Sequence, residues 1–331
     1  MKRRVVGAAI LLVVGLAIWA VRAVLAPSLQ PVESLRLAVS PQIMSALVYV
    51  AADKGFFRAE GLDVTLETYP FGKDALAKVM EGQADVATVA EVPVMWAVLK
   101  GGQPTVFAII QSTDHDITVV ARNDAGISRP ADLAGKRVGV VLGTNHEYFL
   151  DLFLGVNKID PDSVTIVPVS MSDGADAVIS GRVDALSSWV SARLAVQAAM
   201  PGKIVSFPSE GIYTELWTLA AQPEFLKTRP EAVRRLLRAL IRAERFAAVN
   251  RQEAVAIVAP YIKLDKALVN QVWDEFGFSV SLDQTVLVHM EGEARREIKK
   301  MPGTNMPDFL KHISADGLRA VESGRVTIIL P

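Results

Sequence analysis

A chain of 331 residues, 51% of them apolar, is long enough to bury a large core and by length suggests two domains. Without cysteine it can hold no disulfide, thiol nucleophile, thiolate metal site or lipidated N-terminal cysteine. The formal charge is −1, and without Lys2, Arg3, Arg4 and Arg22 the balance falls to 31 basic against 36 acidic residues, so no general attraction for nucleic acid follows.

The N-terminus speaks to compartment. Behind Lys2-Arg3-Arg4, residues 5–21 form an uncharged apolar run, the layout of a secretory signal. Cleavage after Ala23 places Val21 and Ala23 at the small-residue positions, whereas cleavage after Ala26 leaves Pro27 beside the cut, which disfavours it. At about 17 residues the run is at the short end for spanning a bilayer. Residues 1–26 therefore read as a signal peptide or membrane anchor. The rest is expected in the periplasm or at the outer face of the cytoplasmic membrane.

Residues 35–39 (LRLAV) read as the first strand, ended by Ser40-Pro41. Helical spacing over 44–59 stops before Gly61, and 62–67 alternate as the next strand. Residues 72–81 predict an amphipathic helix, 85–90 (DVATVA) a strand, 93–100 a helix and 105–111 a strand. A second series repeats the plan: strand 117–121, a short helical turn over 129–135, strand 137–142, a helix to Val156, strand 164–169, helix 172–180, strand 183–187, helix 189–200 and strand 203–207. Strand 212–222 brings the chain out of this series. Helices follow at 230–249, 252–259, 264–276 and 286–300, with a last strand at 326–330. Having no sheet of their own to cover, these helices are expected to return to the first lobe. Short apolar strands alternating with helices predict α/β with parallel strands.

Helix 230–249 carries Arg234, Arg235, Arg238, Arg242 and Arg245 on one side and leucines on the other; Glu231 and Glu244 on the same helix make a solvated face the expectation. Gly82-Gln83-Ala84-Asp85 and Gly181-Arg182-Val183-Asp184 each follow a helix. Each glycine reads as a left-handed helix end and each aspartate as the opening of a strand, which suggests two lobes on one plan.

In residues 137–150 (RVGVVLGTNHEYFL) a strand meets a glycine turn and a helix start, with Thr144 or Asn145 placed as the cap. Unpaired amides at a helix start, aided by the helix dipole, offer a pocket for a small negative group. Catalytic signatures are missing: there is no Gly-x-Ser-x-Gly elbow, and His146-Glu147 is followed by Leu150 where a zinc-protease helix needs its second histidine. Four histidines and no cysteine leave little for a metal site, and no cofactor is expected.

Several segments together resemble one family. Tyr49-Val50-Ala51-Ala52-Asp53-Lys54-Gly55-Phe56-Phe57, continued by Glu60-Gly61-Leu62-Asp63-Val64, is similar to its opening; Glu81-Gly82-Gln83-Ala84-Asp85-Val86-Ala87, Asp132-Leu133-Ala134-Gly135-Lys136-Arg137-Val138-Gly139-Val140 and Gly181-Arg182-Val183-Asp184-Ala185 resemble its later motifs. The family is the nitrate, taurine, alkanesulfonate and thiamine-precursor branch of ABC importer substrate-binding proteins. Over residues 34–250 the resemblance implies a type II periplasmic binding fold: two lobes with doubly wound sheets, joined by two crossing strands. Lobe 1 is expected over 34–117 and 217–331, and lobe 2 over 118–216.

The resemblance implies a solute-binding subunit that captures a small anion or zwitterion, such as an organosulfonate or a taurine-like molecule, by hinge closure and delivers it to an ABC permease. It also implies cleft positions at strand ends: Ser40, Pro41 and Gln42; Phe71 and Gly72; Glu91 and Val92; Asp114 at the hinge; and Gly143, Thr144, Asn145, His146 and Trp189 in the second lobe. Trp189 and Phe71 read equally as packing, Glu91 and Asp114 as solvated caps or hinge residues, and His146 as a surface residue. A membrane-anchored ligand sensor or docking subunit, and an enzyme similar to thiamine-pyrimidine synthases, are the other readings of this fold.

Overall fold

The computed structural model describes residues 32–330, and the signal or anchor expected over residues 1–26 lies outside them. The first series is β1 (Glu33–Val39), α1 (Ala46–Asp53), α2 (Phe56–Ala59), β2 (Leu62–Thr68), α3 (Gly72–Met80), β3 (Val86–Ala90), α4 (Glu91–Leu99) and β4 (Thr105–Thr113). The second is β5 (Thr118–Arg122), β6 (Arg137–Val140), α5 (Asn145–Val156), β7 (Thr165–Pro168), α6 (Gly174–Ile179), β8 (Ala185–Ser188), α7 (Val190–Ala199) and β9 (Ile204–Pro208). After β10 (Glu215–Ala221) come α8 (Pro223–Thr228), α9 (Pro230–Val249), α10 (Arg251–Ile262), α11 (Lys266–Val272), β11 (Gly277–Ser281), α12 (Gln284–Ile298) and α13 (Asp316–Val321). Among the described residues no helix is long and apolar enough to cross a membrane.

A strand covered on both faces must be apolar throughout, and all five residues of β3 are buried. It lies inside a six-stranded sheet of order β11-β4-β10-β3-β1-β2; the second lobe holds a five-stranded sheet of order β7-β6-β8-β5-β9. In the first, β1 and β3 are parallel and β10 runs antiparallel to β3 and β4. In the second, β6 is parallel to β7 and β8, and β5 is antiparallel to β8 and β9. The chain enters the second sheet between β4 and β5 and returns between β9 and β10. The architecture is the two-lobed α/β one that the sequence predicts.

The repeated Gly-x-x-Asp has a physical basis. Gly82 and Gly181 both take positive φ, +73° and +75°. The Asp85 carboxylate accepts the Arg36 main-chain N–H at 2.7 Å and its guanidinium at 3.1 Å. Asp184 accepts the same pair of bonds from Arg137, at 2.9 and 2.7 Å. In each lobe an arginine and an aspartate thus tie the edges of two parallel strands.

Several expectations need correction. The helix predicted over 44–59 is broken, because Gly55 at φ +67° ends the first stretch in the left-handed conformation and α2 restarts beyond it. Helix α4 begins at Glu91 rather than at 93; Pro93 is tolerated because amides in a first turn have no intrahelical acceptor. The helix predicted over 264–276 is α11 followed by a 3-10 turn, and the strand beyond it, β11, is not predicted; it pairs with β4 at Gly277↔Ser112 and Phe278↔Gln111. The strand predicted over 326–330 is absent: Val326 makes only an isolated bridge to Leu282 and Ile329 is exposed. The arginine face of α9 is only partly solvated. Arg235 is buried and donates to the Gly61 carbonyl at 3.0 Å, and Arg238 and Arg242 converge on Glu60.

Candidate functional site

Strand ends from both lobes meet around a cavity of about 180 Å3. The loop after β1 supplies Pro41, Gln42 and Met44, and the end of β2 supplies Pro70; facing them are Met171, Trp189 and Ser191 of the second lobe, with Asp116 in the crossing segment between β4 and β5. The β1 loop is held by Ser40, which is itself fully buried. Its Oγ donates to the Pro70 carbonyl at 3.1 Å and accepts from Gln42 Nε2 at 3.1 Å, while its carbonyl takes the Tyr49 hydroxyl at 2.8 Å. Ser40 is therefore a pin behind the lining.

Asp116 is the ionisable group of this lining among the described residues. One carboxylate oxygen accepts the Val190 N–H at 3.2 Å, in the first turn of α7, and the other is buried without a partner. Burial pushes its pKa up to about 6, against the opposing pull of Val190 N–H and Arg193. Arg193 is itself engaged by Glu275 at 2.6 Å.

Trp189 belongs to the apolar cluster of the second lobe and also presents to the cavity. It stands over Gly174, where an added Cβ would lie 2.8 Å from Trp189 Cη2, so only glycine fits beneath the ring. His146 meets Trp189 edge-on at 5.4 Å between ring centroids. It is buried and does not line the cavity; burial lowers its pKa to about 3, so it is neutral near pH 7.

At the helix start of residues 143–146, two of the amides expected for an anion are already engaged. The Gly143 N–H donates to the Glu147 carboxylate at 2.6 Å, and the His146 N–H to the capping Thr144 Oγ1 at 3.3 Å. Gly143 opens instead onto a separate groove of about 620 Å3, across which Lys73 donates to the Leu142 carbonyl at 2.8 Å. Asn145 reaches the Glu215 carboxylate on β10 and links the second lobe to the crossing strand.

Other predicted positions serve elsewhere. Glu91 is fully buried, accepting the Tyr213 hydroxyl and, at 2.9 Å, the Leu216 N–H. Burial raises its pKa. Val92 is core. Asp114 is partly exposed, pairs with His115 at 2.5 Å and lines a different depression. Phe71 packs on the apolar cluster of the second lobe. Gly72 is required by packing, since a Cβ there would fall 2.9 Å from Val89 Cα and 3.1 Å from Trp217. Of the predicted set, Pro41, Gln42 and Trp189 come together in the cavity; Asp116, Met44, Met171 and Ser191 were not anticipated.

A family model described as NMT1/THI5 like matches residues 42–254. A Brucella abortus protein named as a presumed binding protein is 26% identical over 226 residues, 67% of this chain and 69% of its own. The solved periplasmic aliphatic sulphonate binding protein SsuA from Escherichia coli superposes with a TM-score of 0.75 at 16% identity, covering 85% of this chain and 97% of that one. The alkanesulfonate-binding SsuA from Xanthomonas axonopodis pv. citri, solved bound to MOPS, gives 0.72 at 17% identity, covering 91% and 100%. At these identities the solved structures establish the fold.

Proposed function

This chain belongs to the NMT1/THI5-like family, and from that premise we propose that it is an extracytoplasmic solute-binding subunit of an ABC importer, capturing a small molecule without turnover. Residues 34–117 and 217–331 form one jaw and 118–216 the other. The solute is held in the periplasm, or at the outer face of the cytoplasmic membrane if residues 1–26 remain as an anchor, and is passed to a permease. The observation that carries this reading is the cavity closed by Pro41, Gln42 and Met44 on one side and Met171, Trp189 and Ser191 on the other, with Asp116 in the crossing segment between them. A ligand touching both sides stabilises the closed state, which is the requirement for hinge capture.

The lining supports an amine-bearing solute with a short aliphatic or flat apolar part. Asp116 supplies the counter-charge, and Met44, Met171 and Trp189 the apolar surface. A taurine-like zwitterion fits if Gln42 and Ser191 serve its acidic end as neutral donors. A plain anion would meet Asp116 and no lysine or arginine of the described lining.

The test is a thermal-shift screen of the purified protein with taurine, MOPS (a tertiary amine and a sulfonate), an unsubstituted alkanesulfonate and nitrate. At a hundredfold excess over Kd, a true ligand adds about 2.7 kcal/mol. The amine-bearing compounds should raise the melting temperature and the plain anions should not. An alkanesulfonate as effective as taurine would overturn the amine assignment.

A further inference from the structure

Away from the cavity, three side chains converge beneath the depression of about 440 Å3 that Asp114 and Tyr148 help to line. Glu91 opens α4, while His289 and Glu293 stand one turn apart on α12, the spacing that puts two ligands on one helix face. One ligand atom from each lies within 4.8 Å of the other two. Glu91 and Glu293 are at most 1% exposed. Among the described residues, both Glu293 oxygens and His289 Nδ1 are buried without a hydrogen-bond partner.

Two carboxylates side by side in a dry interior need a proton or a cation between them. A shared proton would settle the acids but leave His289 Nδ1 3.9 Å from Glu91 Oε1, beyond hydrogen-bond reach. A cation satisfies all three groups. We propose that Glu91, His289 and Glu293 hold one first-row divalent cation, with zinc the best match to an imidazole and two carboxylates. Zinc bonds of about 2.0–2.2 Å set ligand atoms about 3.4 Å apart in a tetrahedron, so side-chain rotation closes the present spacing. Glu91 is already oriented by the Leu216 N–H and the Tyr213 hydroxyl, the outer partners such a ligand requires. His289, 25% exposed, and Glu293 both line the depression, which gives an ion its way in. The site shares no residue with the lining around Trp189, so it stands or falls independently of the solute.

The experiment is equilibrium dialysis of the EDTA-treated full-length protein against micromolar Zn2+, with metal counted by mass spectrometry and melting followed in parallel. One zinc per chain and a zinc-dependent rise in melting temperature are expected. His289→Ala and Glu293→Gln should each weaken retention about tenfold or more and remove that rise. Glu293→Gln preserves the shape of the side chain and His289→Ala trims a partly exposed ring, so both variants should remain folded, which circular dichroism checks. Failure of the wild type to retain zinc, or retention by both variants as tight as the wild type's, would overturn the proposal.

Discussion

Asp116→Asn separates the energetic cost of the empty site from its use. The carboxyl pKa rises from 3.8 to about 6 on folding, a shift of about 2 units and so about 3 kcal/mol. Because the folded protein holds this proton more tightly than the unfolded chain, the stabilisation is full below pH 3.8 and is lost as pH rises through about 6. At pH 8 the empty wild type therefore carries a buried charge that costs about 3 kcal/mol. Asparagine keeps an oxygen for the Val190 N–H and removes the charge. Urea unfolding should show the variant more stable than wild type by up to about 3 kcal/mol at pH 8 and nearly equal at pH 4. The other buried acids titrate in both proteins and largely cancel in the difference. Calorimetry with the best amine-bearing ligand should show the reverse: wild-type affinity grows as pH rises through 6, and the variant loses it. A variant no more stable than wild type at pH 8 would refute the reasoning, because the carboxylate would then be solvated or paired in the empty protein.

Gly72→Ala places a methyl group against Val89 Cα and the Thr88 carbonyl, backbone that cannot swing aside; overpacking should cost about 1–3 kcal/mol in urea unfolding, with ligand affinity of the folded fraction unchanged. Asp184→Asn weakens the bonds from Arg137 that hold the Asp184 pKa below the usual carboxylate range. A depressed pKa contributes stability above the unfolded value and loses it as pH falls, so the variant should be about 1–2 kcal/mol less stable at pH 7 and little different near pH 2. Gly174→Ala drives a methyl group into Trp189; the ring must move, and a fall in ligand affinity accompanied by a change in tryptophan fluorescence is expected. Unchanged fluorescence and affinity would place the ring away from the solute.

How far the sequence could be read depends on what each signal measures. Apolar blocks such as 85–90 mark strands because burial on both faces demands them, and the Gly-x-x-Asp pairs mark helix ends because positive φ and a strand-edge arginine demand those residues. Gly55 sits inside an otherwise helical pattern, so periodicity ran through it. β11 follows a 3-10 turn with no punctuation, and its edge position leaves only Val280 buried. At the site, strand ends located the right loops without telling which side chains turn inward. Asp114 and Asp116 differ by two loop residues, yet one pairs with His115 near solvent and the other is buried against α7. The helix start at Thr144 held its own correction: Thr144-Asn145-His146-Glu147 has capping-box spacing, and its glutamate reaches back to take the Gly143 amide.

Several polar contacts cross between the lobes. Lys73 meets a main-chain carbonyl, Arg193 on α7 meets Glu275, and Arg296 on α12 and Lys300 just beyond it meet Asp151 on α5. These groups are partly exposed, and such pairs contribute about 0–1 kcal/mol each against the entropy of fixing long side chains. Apolar contact adds to these: Phe71 packs on the second-lobe cluster, and a continuous cluster of buried residues runs from Leu37, Val92 and Met95 in the first lobe to Val138, Phe149 and Val190 in the second. Asn145 with Glu215 is a buried polar link, and it joins the second lobe to a crossing strand rather than to the opposite rim. An uncompensated Asp116 facing Pro41 and Gln42 biases the empty protein towards opening, since opening rehydrates the carboxylate. An amine between the rims removes that penalty only when they meet, so the group that makes the empty cavity costly is the one that makes closure depend on the ligand.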